Sequence, residues 1–121
     1  MNQQSRRLRI ANEWVEISNR LGKTKSEGRR RASVSLLYYG LYHRAIAAFD
    51  DKKITSHKAV GHEYQRRYET QQKDIGGLLK LHQLRCLADY SFHEVFPDEK
   101  QQEAIRLAQA IEENLLPLLE D

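Results

Sequence analysis

The chain has one cysteine, Cys86, and two prolines, Pro97 and Pro117, among its 121 residues. A single thiol excludes an intramolecular disulfide and any zinc site built on paired cysteines, and it makes a cytoplasmic location the expectation. The five histidines, at positions 43, 57, 62, 82 and 93, are scattered, and His57 and His62 miss the i,i+4 spacing of a helical metal pair by one residue. No metal and no cofactor is therefore expected. No apolar run approaches the roughly 20 residues of a membrane-spanning helix, so no membrane association is expected. The stretch from Met1 to Arg7 leads into no continuous apolar segment, unlike the start of a secretory signal. Nor does any stretch alternate apolar and polar residues convincingly over the length of a strand.

What is abundant is charge. Charged residues make up 31% and hydrophobic residues 40%, the balance of a soluble globular chain, and 121 residues suit one domain spanning 1–121. The net charge is +3, from 20 Lys and Arg against 17 Asp and Glu, which by itself demonstrates no nucleic-acid binding. Its distribution is more informative. Arg6, Arg7 and Arg9 crowd the start, Arg29, Arg30 and Arg31 form a second cluster, and the end is acidic, with Glu112, Glu113, Glu120 and Asp121. Three cations in the first turn of a helix oppose its dipole, a local cost that a nucleic-acid phosphate or an acidic partner could offset. A plain solvated surface explains the same clusters, and both readings stand.

Helical periodicity runs almost end to end. Ile10, Trp14, Ile17 and Leu21 form one stripe of a first helix that Gly22 ends. Thr24-Lys25-Ser26-Glu27 has the form of a capping box and opens a second helix. That helix, from Ala32 to Phe49, is apolar around most of its circumference and is expected at the centre of the molecule, with the small Gly40, Ala45, Ala47 and Ala48 allowing close neighbours. Thr55 or Ser56 can cap a third helix carrying Val60, Tyr64 and Tyr68 on one face. Asp74 is placed to cap a fourth, with Ile75, Leu78, Leu79, His82 and Cys86 on one stripe, Leu84 and Leu87 beside it, and its first turn weakened by Gly76 and Gly77. Residues Ser91 to Phe96 read as a loop, and Pro97 suits the first position of a last helix striped by Ala104, Ala108, Ile111 and Leu115. Short connections imply antiparallel neighbours, so the expected fold is an all-α, up-and-down bundle of four to five helices.

The run from Leu81 to His93 carries the chemistry: Arg85, Asp89, Tyr90 and His93 fall within about two helical turns. An arginine at the start of such a run and a histidine near its end could grip a phosphate and move protons. Histidine suits the proton transfers, because its ordinary pKa lies near neutrality. Arginine suits the phosphate, because its fork stays charged and binds two oxygens at once. Arg85 is then a candidate phosphate clamp, His93 a candidate general acid or base and Tyr90 a candidate polar assistant, with Asp89 beside them. A structural account competes with it. Arg85 and Asp89 can simply pair at i,i+4, Tyr90 can be a core aromatic, and His93 can be an ordinary loop residue. His82, on an apolar stripe, reads as a satisfied core histidine, His43 and His57 as structural polar groups, and Cys86 as a small hydrophobe. Tyr38, Tyr39 and Tyr42, at helical spacing in the most apolar segment, read as core rather than as base-stacking groups.

Four segments together resemble the HEPN family of small helical bundles, in particular a short bacterial subgroup with an Ala-Asp-Tyr motif. These are Arg31-Ala32-Ser33-Val34-Ser35-Leu36-Leu37-Tyr38-Tyr39-Gly40-Leu41-Tyr42-His43-Arg44-Ala45, then Thr55-Ser56-His57-Lys58-Ala59-Val60, then Leu84-Arg85-Cys86-Leu87-Ala88-Asp89-Tyr90, and Glu103-Ala104-Ile105-Arg106-Leu107-Ala108. They span about residues 30 to 118 in the order and spacing of the family. The resemblance implies a bundle that forms a homodimer and sets the Arg85 motif in a cleft between subunits. It further implies a metal-independent endoribonuclease acting on RNA, the toxin of a toxin–antitoxin or phage-defence pair with a cognate antitoxin. In the family a histidine follows the arginine after roughly four to six residues. Here seven lie between Arg85 and His93, and Tyr90 occupies the place of a closer histidine. The alternative implied is a non-catalytic interaction module that pairs with a partner such as a nucleotidyltransferase.

Overall fold

The computed structural model describes residues 3–22, 26–68 and 77–120. Thr24, Lys25, Asp74, Ile75 and Gly76 of the expectations above lie outside the described residues. Five helices follow one another: α1 (Gln3–Leu21), α2 (Glu27–Phe49), α3 (His57–Tyr68), α4 (Gly77–Tyr90) and α5 (Asp98–Leu119). Among the described residues there is no strand. The all-helical bundle is therefore as the periodicity indicates.

Local signals set the helix boundaries. Ser26 is the N-cap of α2 and accepts from the Arg29 backbone N–H at 3.5 Å. Ser56, rather than Thr55, caps α3, accepting from the Ala59 N–H at 3.1 Å. Pro97 stands one residue earlier than expected, as the N-cap of α5, so Asp98 and Glu99 fill the first turn where acidic groups favour the dipole. Asp50 closes α2 in the left-handed region at φ 47°, and its N–H bonds the Ile46 carbonyl.

The α2 helix is central and packs against all four others. Its buried Val34, Leu37, Tyr38, Leu41, Ala45 and Ile46 meet Leu78, Leu81 and Leu84 of α4 and Ala104, Leu107, Ile111 and Leu115 of α5 in one core. Each large side chain so buried contributes about 1.5–3 kcal/mol. α1 and α4 run antiparallel to α2: Asn12 meets Arg44 while Ser18 meets Ser33, and Tyr39 meets Arg85 while Arg31 meets Leu87. α3 departs from the antiparallel expectation. The chain doubles back after α2, placing His57 beside Tyr42 and Arg67 over Phe49, so α3 follows the direction of α2.

Two helices are rotated from their expected stripes. In α1 the buried residues are Ala11, Val15 and Ser18, whereas Ile17 is 43% exposed. Close approach decides this. A Cβ added at Gly40 of α2 would lie 2.6 Å from Val15 Cγ2 and 3.0 Å from the Ala11 carbonyl, so only a face of small residues fits against it. The Ser33 hydroxyl bonds the Ser18 carbonyl across the same contact at 3.0 Å. In α4 the buried face is Leu78, Leu81, Leu84, Arg85 and Ala88, which leaves His82 and Cys86 on a half-buried edge. That rotation brings Arg85 inward and turns His82 toward α3.

Candidate functional site

The first turn of α2 clamps the end of α4 and the loop after it. Arg31 is only 7% exposed. Its Nη1 donates to the carbonyls of Leu87 at 3.0 Å and Ala88 at 2.9 Å, and its Nη2 to those of Ser91 at 3.0 Å and Glu94 at 2.6 Å. The last carbonyls of a helix lack partners within it, and a buried guanidinium supplies them here. Arg30 donates through Nε and Nη2 to the Phe96 carbonyl at 3.2 and 3.0 Å. Glu27 accepts from the Phe96 N–H at 2.5 Å; that bond, with Arg31 nearby, holds its carboxyl below the usual range against the opposing effect of burial. Of the expected nucleic-acid-binding cluster of Arg29, Arg30 and Arg31, Arg31 thus has its guanidinium engaged within the fold. Arg29 is exposed.

Arg85 sits where α2 and α4 meet, 8% exposed. Its guanidinium carbon lies 4.6 Å over the Tyr39 ring and 5.2 Å over the Tyr90 ring, a cation held between two aromatic faces. Nη2 donates to both phenol oxygens, that of Tyr90 at 3.2 Å. Nε is 2.7 Å from Asp89 Oδ2, but its N–H is not aligned for a hydrogen bond. The Ser35 hydroxyl bonds that same carboxylate oxygen at 3.1 Å. Burial opposes the charge on Arg85, yet Tyr39, Asp89 and Tyr90 outweigh it and hold the pKa above its ordinary value. The cation is permanent. Tyr90 is 66% exposed rather than a core aromatic, so it forms the outer wall of this niche.

Behind Tyr39 lies a stack of rings from three helices. His57, at the start of α3, and His82, on α4, are parallel to within 11° with centroids 5.0 Å apart. Tyr42 also stacks on His57, at 4.4 Å. The Tyr38 hydroxyl contacts His57 Nδ1 at 2.7 Å, and the Cys86 sulfur lies 3.7 Å from His82 Nε2. Tyr39 approaches His57 at 6.0 Å and so links the histidines to Arg85. Burial lowers the pKa of both imidazoles; His82 and Arg85 lower that of His57 further, and Arg85 that of His82. Both rings are thus neutral near pH 7. Burial also raises the Tyr38 pKa, which keeps the phenol protonated, and its contact with Nδ1 ties the His57 tautomer to the orientation of that hydroxyl. Two neutral imidazoles beside a fixed cation have the chemical equipment to bind an anion and move protons. His43, flanked by Trp14 and Tyr42, has its pKa lowered by burial, then by Arg7 and His57.

The structure brings together Arg85, Asp89 and Tyr90 of the expected site. It does not bring His93 to them. That side chain is 79% exposed on the loop after α4, and its ring meets the carboxylate of Glu94 at 3.7 Å. The sequence reading passed over His57 and His82 as structural. A signal for His82 was present: it is three residues before Arg85 and so shares a helix face with it. The place of His57 depends on the doubling-back before α3, which no local pattern announces. Among the described residues no group of three or more His, Cys, Asp or Glu is placed to hold a metal ion, and no helix is long and apolar enough to cross a membrane. Comparison of the chain with protein-family models, curated proteins and solved structures gives no match.

Proposed function

We propose that this chain is a metal-independent endoribonuclease of HEPN type. The single observation that carries the reading is the buried Arg85 guanidinium joined through Tyr39 to the neutral His57–His82 pair. The resemblance of the segments around Arg31, His57, Arg85 and Glu103 to that family supports it independently. Arg85 binds a phosphodiester oxygen once Tyr90, at the rim, swings aside. One neutral imidazole takes the 2′-hydroxyl proton and becomes an imidazolium, the 2′-oxygen attacks phosphorus, and the bond to the 5′-oxygen breaks as that imidazolium, beside the second ring, passes the same proton to it. The products are a 2′,3′-cyclic phosphate and a 5′-hydroxyl, so atoms and charge balance without a co-reactant. His93, exposed on a pinned loop, contacts bases or a second subunit in this scheme. The protein acts as a homodimer and as the toxin of a toxin–antitoxin or phage-defence pair.

One observation favours a second reading. Arg85 Nη2 already engages Tyr39 and Tyr90, and Asp89 stands against the charge. A site satisfied in this way suits a non-catalytic module that binds a partner such as a nucleotidyltransferase. Incubating the purified protein with RNA in EDTA separates the two. Fragments ending in 2′,3′-cyclic phosphate are expected of the nuclease, and intact RNA over a folded protein contradicts it.

A further inference from the structure

α1 and α5 both lie against α2, and they are tied at one end, where the Gln101 side chain donates to the Gly22 carbonyl at 3.3 Å. Toward the other end a trench of about 660 Å³ lies between them. None of the residues around Arg85 lines it. Leu8 of α1 faces Leu115, Leu116 and Leu119 of α5 across this trench, and Arg44 of α2 also lines it. Along α5 the wall runs from Gln109 to Glu120, about 16 Å at the rise of a helix, or three turns. Leu116 is 54% exposed there, an apolar side chain that the fold does not cover.

The charge on the walls is predominantly negative. Among the described residues, Glu112, Glu113 and Glu120 line the trench against one cation, Arg44, in a chain whose net charge is +3. Arg44 is shared, donating to Asn12 Oδ1 at 2.8 Å and standing 3.5 Å from Glu112 Oε1. Glu112 is thereby left under-compensated: burial raises its pKa, and Arg44 only partly offsets the rise. A cation brought to this wall would relieve that cost.

We propose that this trench is the docking site for a basic amphipathic helix on a partner polypeptide. Its apolar stripe packs on Leu8, Leu116 and Leu119, and its Lys or Arg side chains pair with Glu112, Glu113 and Glu120. A groove three turns long, with an apolar patch at Leu8, Leu115, Leu116 and Leu119, suits a helix read by apolar anchors at helical spacing. The acidic walls select for basic flanks and reject acidic ones. The inference stands apart from the nuclease reading, because it shares no residue with that site.

The test uses two fluorescein-labelled peptides of about 18 residues, long enough to hold a helix, with Leu at i, i+3, i+4 and i+7 and either Lys or Glu elsewhere. Anisotropy titrations on the full chain are expected to show binding of the Lys peptide and none of the Glu peptide. Leu116→Asp and the Glu113→Lys, Glu120→Lys double variant change exposed positions, so each folds; circular dichroism confirms it. Each is expected to weaken the Lys peptide by about tenfold or more, and the double variant gains affinity for the Glu peptide. Equal binding of both peptides, or Lys-peptide affinity indifferent to all these changes, overturns the proposal. So does a wild-type dimer in light scattering that Leu116→Asp converts to monomer, because the occupant is then a second copy.

Discussion

Replacing Arg31 by Met removes the guanidinium that closes α4 while keeping most of the apolar stem. Four carbonyls lose a charged donor: Leu87, Ala88, Ser91 and Glu94. A hydrogen bond to a charged group contributes about 1.5–3 kcal/mol, and leaving a buried acceptor bare costs about 1–3 kcal/mol. The losses do not add in full, because the Leu87 and Ser91 carbonyls keep backbone donors, the Ser91 N–H at 3.2 Å and the Glu94 N–H at 3.4 Å, and the loop carbonyl of Glu94 can turn to water. The expected loss is about 3–5 kcal/mol, a large share of the roughly 5–15 kcal/mol that holds a domain together. In urea, with a slope of about 1–3 kcal/mol per molar, the midpoint falls by about 2 M. Arg31→Lys recovers little, since one ammonium cannot span four acceptors. Arg29→Met, at an exposed position, stays within about 0.5 kcal/mol of wild type. A loss below about 1 kcal/mol for Arg31→Met refutes the clamp and restores Arg31 as a candidate for phosphate binding.

Gly40→Ala drives a Cβ against the stiff Val15 side chain and the Ala11 carbonyl, and is expected to cost about 1–3 kcal/mol. A Cβ at Gly61 would lie 2.4 Å from Leu79 Cδ2 and 2.9 Å from its Cγ, but this half-buried side chain can turn away and no backbone atom lies closer than 3.9 Å, so Gly61→Ala costs less; the reverse order in chemical denaturation contradicts the α1–α2 packing described above. The pKa values of His43, His57 and His82 are lowered in the fold from 6.5, so the unfolded chain binds more protons just below that pH. Their stabilisation is complete above pH 6.5 and is lost as pH falls from there through the folded values. Glu27 and Glu63, lowered from 4.5, add their loss only below pH 4.5, while Glu112, raised from 4.5, works in the opposite direction above it. The His57→Asn, His82→Asn double variant isolates the imidazoles: urea titrations between pH 8 and about 5 are expected to show a flatter loss than wild type. An unchanged slope means that the two rings are not held neutral by the fold.

Much of the fold is legible in the sequence because α2 is apolar around most of its circumference and so belongs at the centre, while α5 carries one stripe whose Ala104, Ala108, Ile111 and Leu115 are all buried. The stripes of α1 and α4 are not, and for one reason. Hydrophobicity ranks Ile17 and Trp14 above Ala11 and Ser18, but the distance between α1 and α2 is set by Gly40, and only small residues fit there. The same limit hides the roles of charged groups. Arg29, Arg30 and Arg31 are alike in sequence, whereas the helix phase turns Arg31 into the α4 terminus and Arg29 to solvent. Proximity along the chain also misleads at the site. His93 is eight positions from Arg85, yet the chain leaves the helix at Tyr90 and carries it away on a loop, while His57 arrives from α3.

The central claim is that Arg85, His57 and His82 form the working site and that His93 does not move the proton. The most direct measurement is kcat/KM for cleavage of a labelled RNA in EDTA by wild type, Arg85→Lys, His57→Asn, His82→Asn and His93→Ala, each with its urea midpoint recorded. Removing a positioned acid or base costs about 10²–10⁴-fold, and this is expected for His57→Asn and His82→Asn. Arg85→Lys keeps the charge but loses the fork and is expected to fall by about tenfold or more. His93→Ala is expected to retain activity within a few-fold. Loss of cleavage on His93→Ala, with His57→Asn and His82→Asn folded and fully active, contradicts the account.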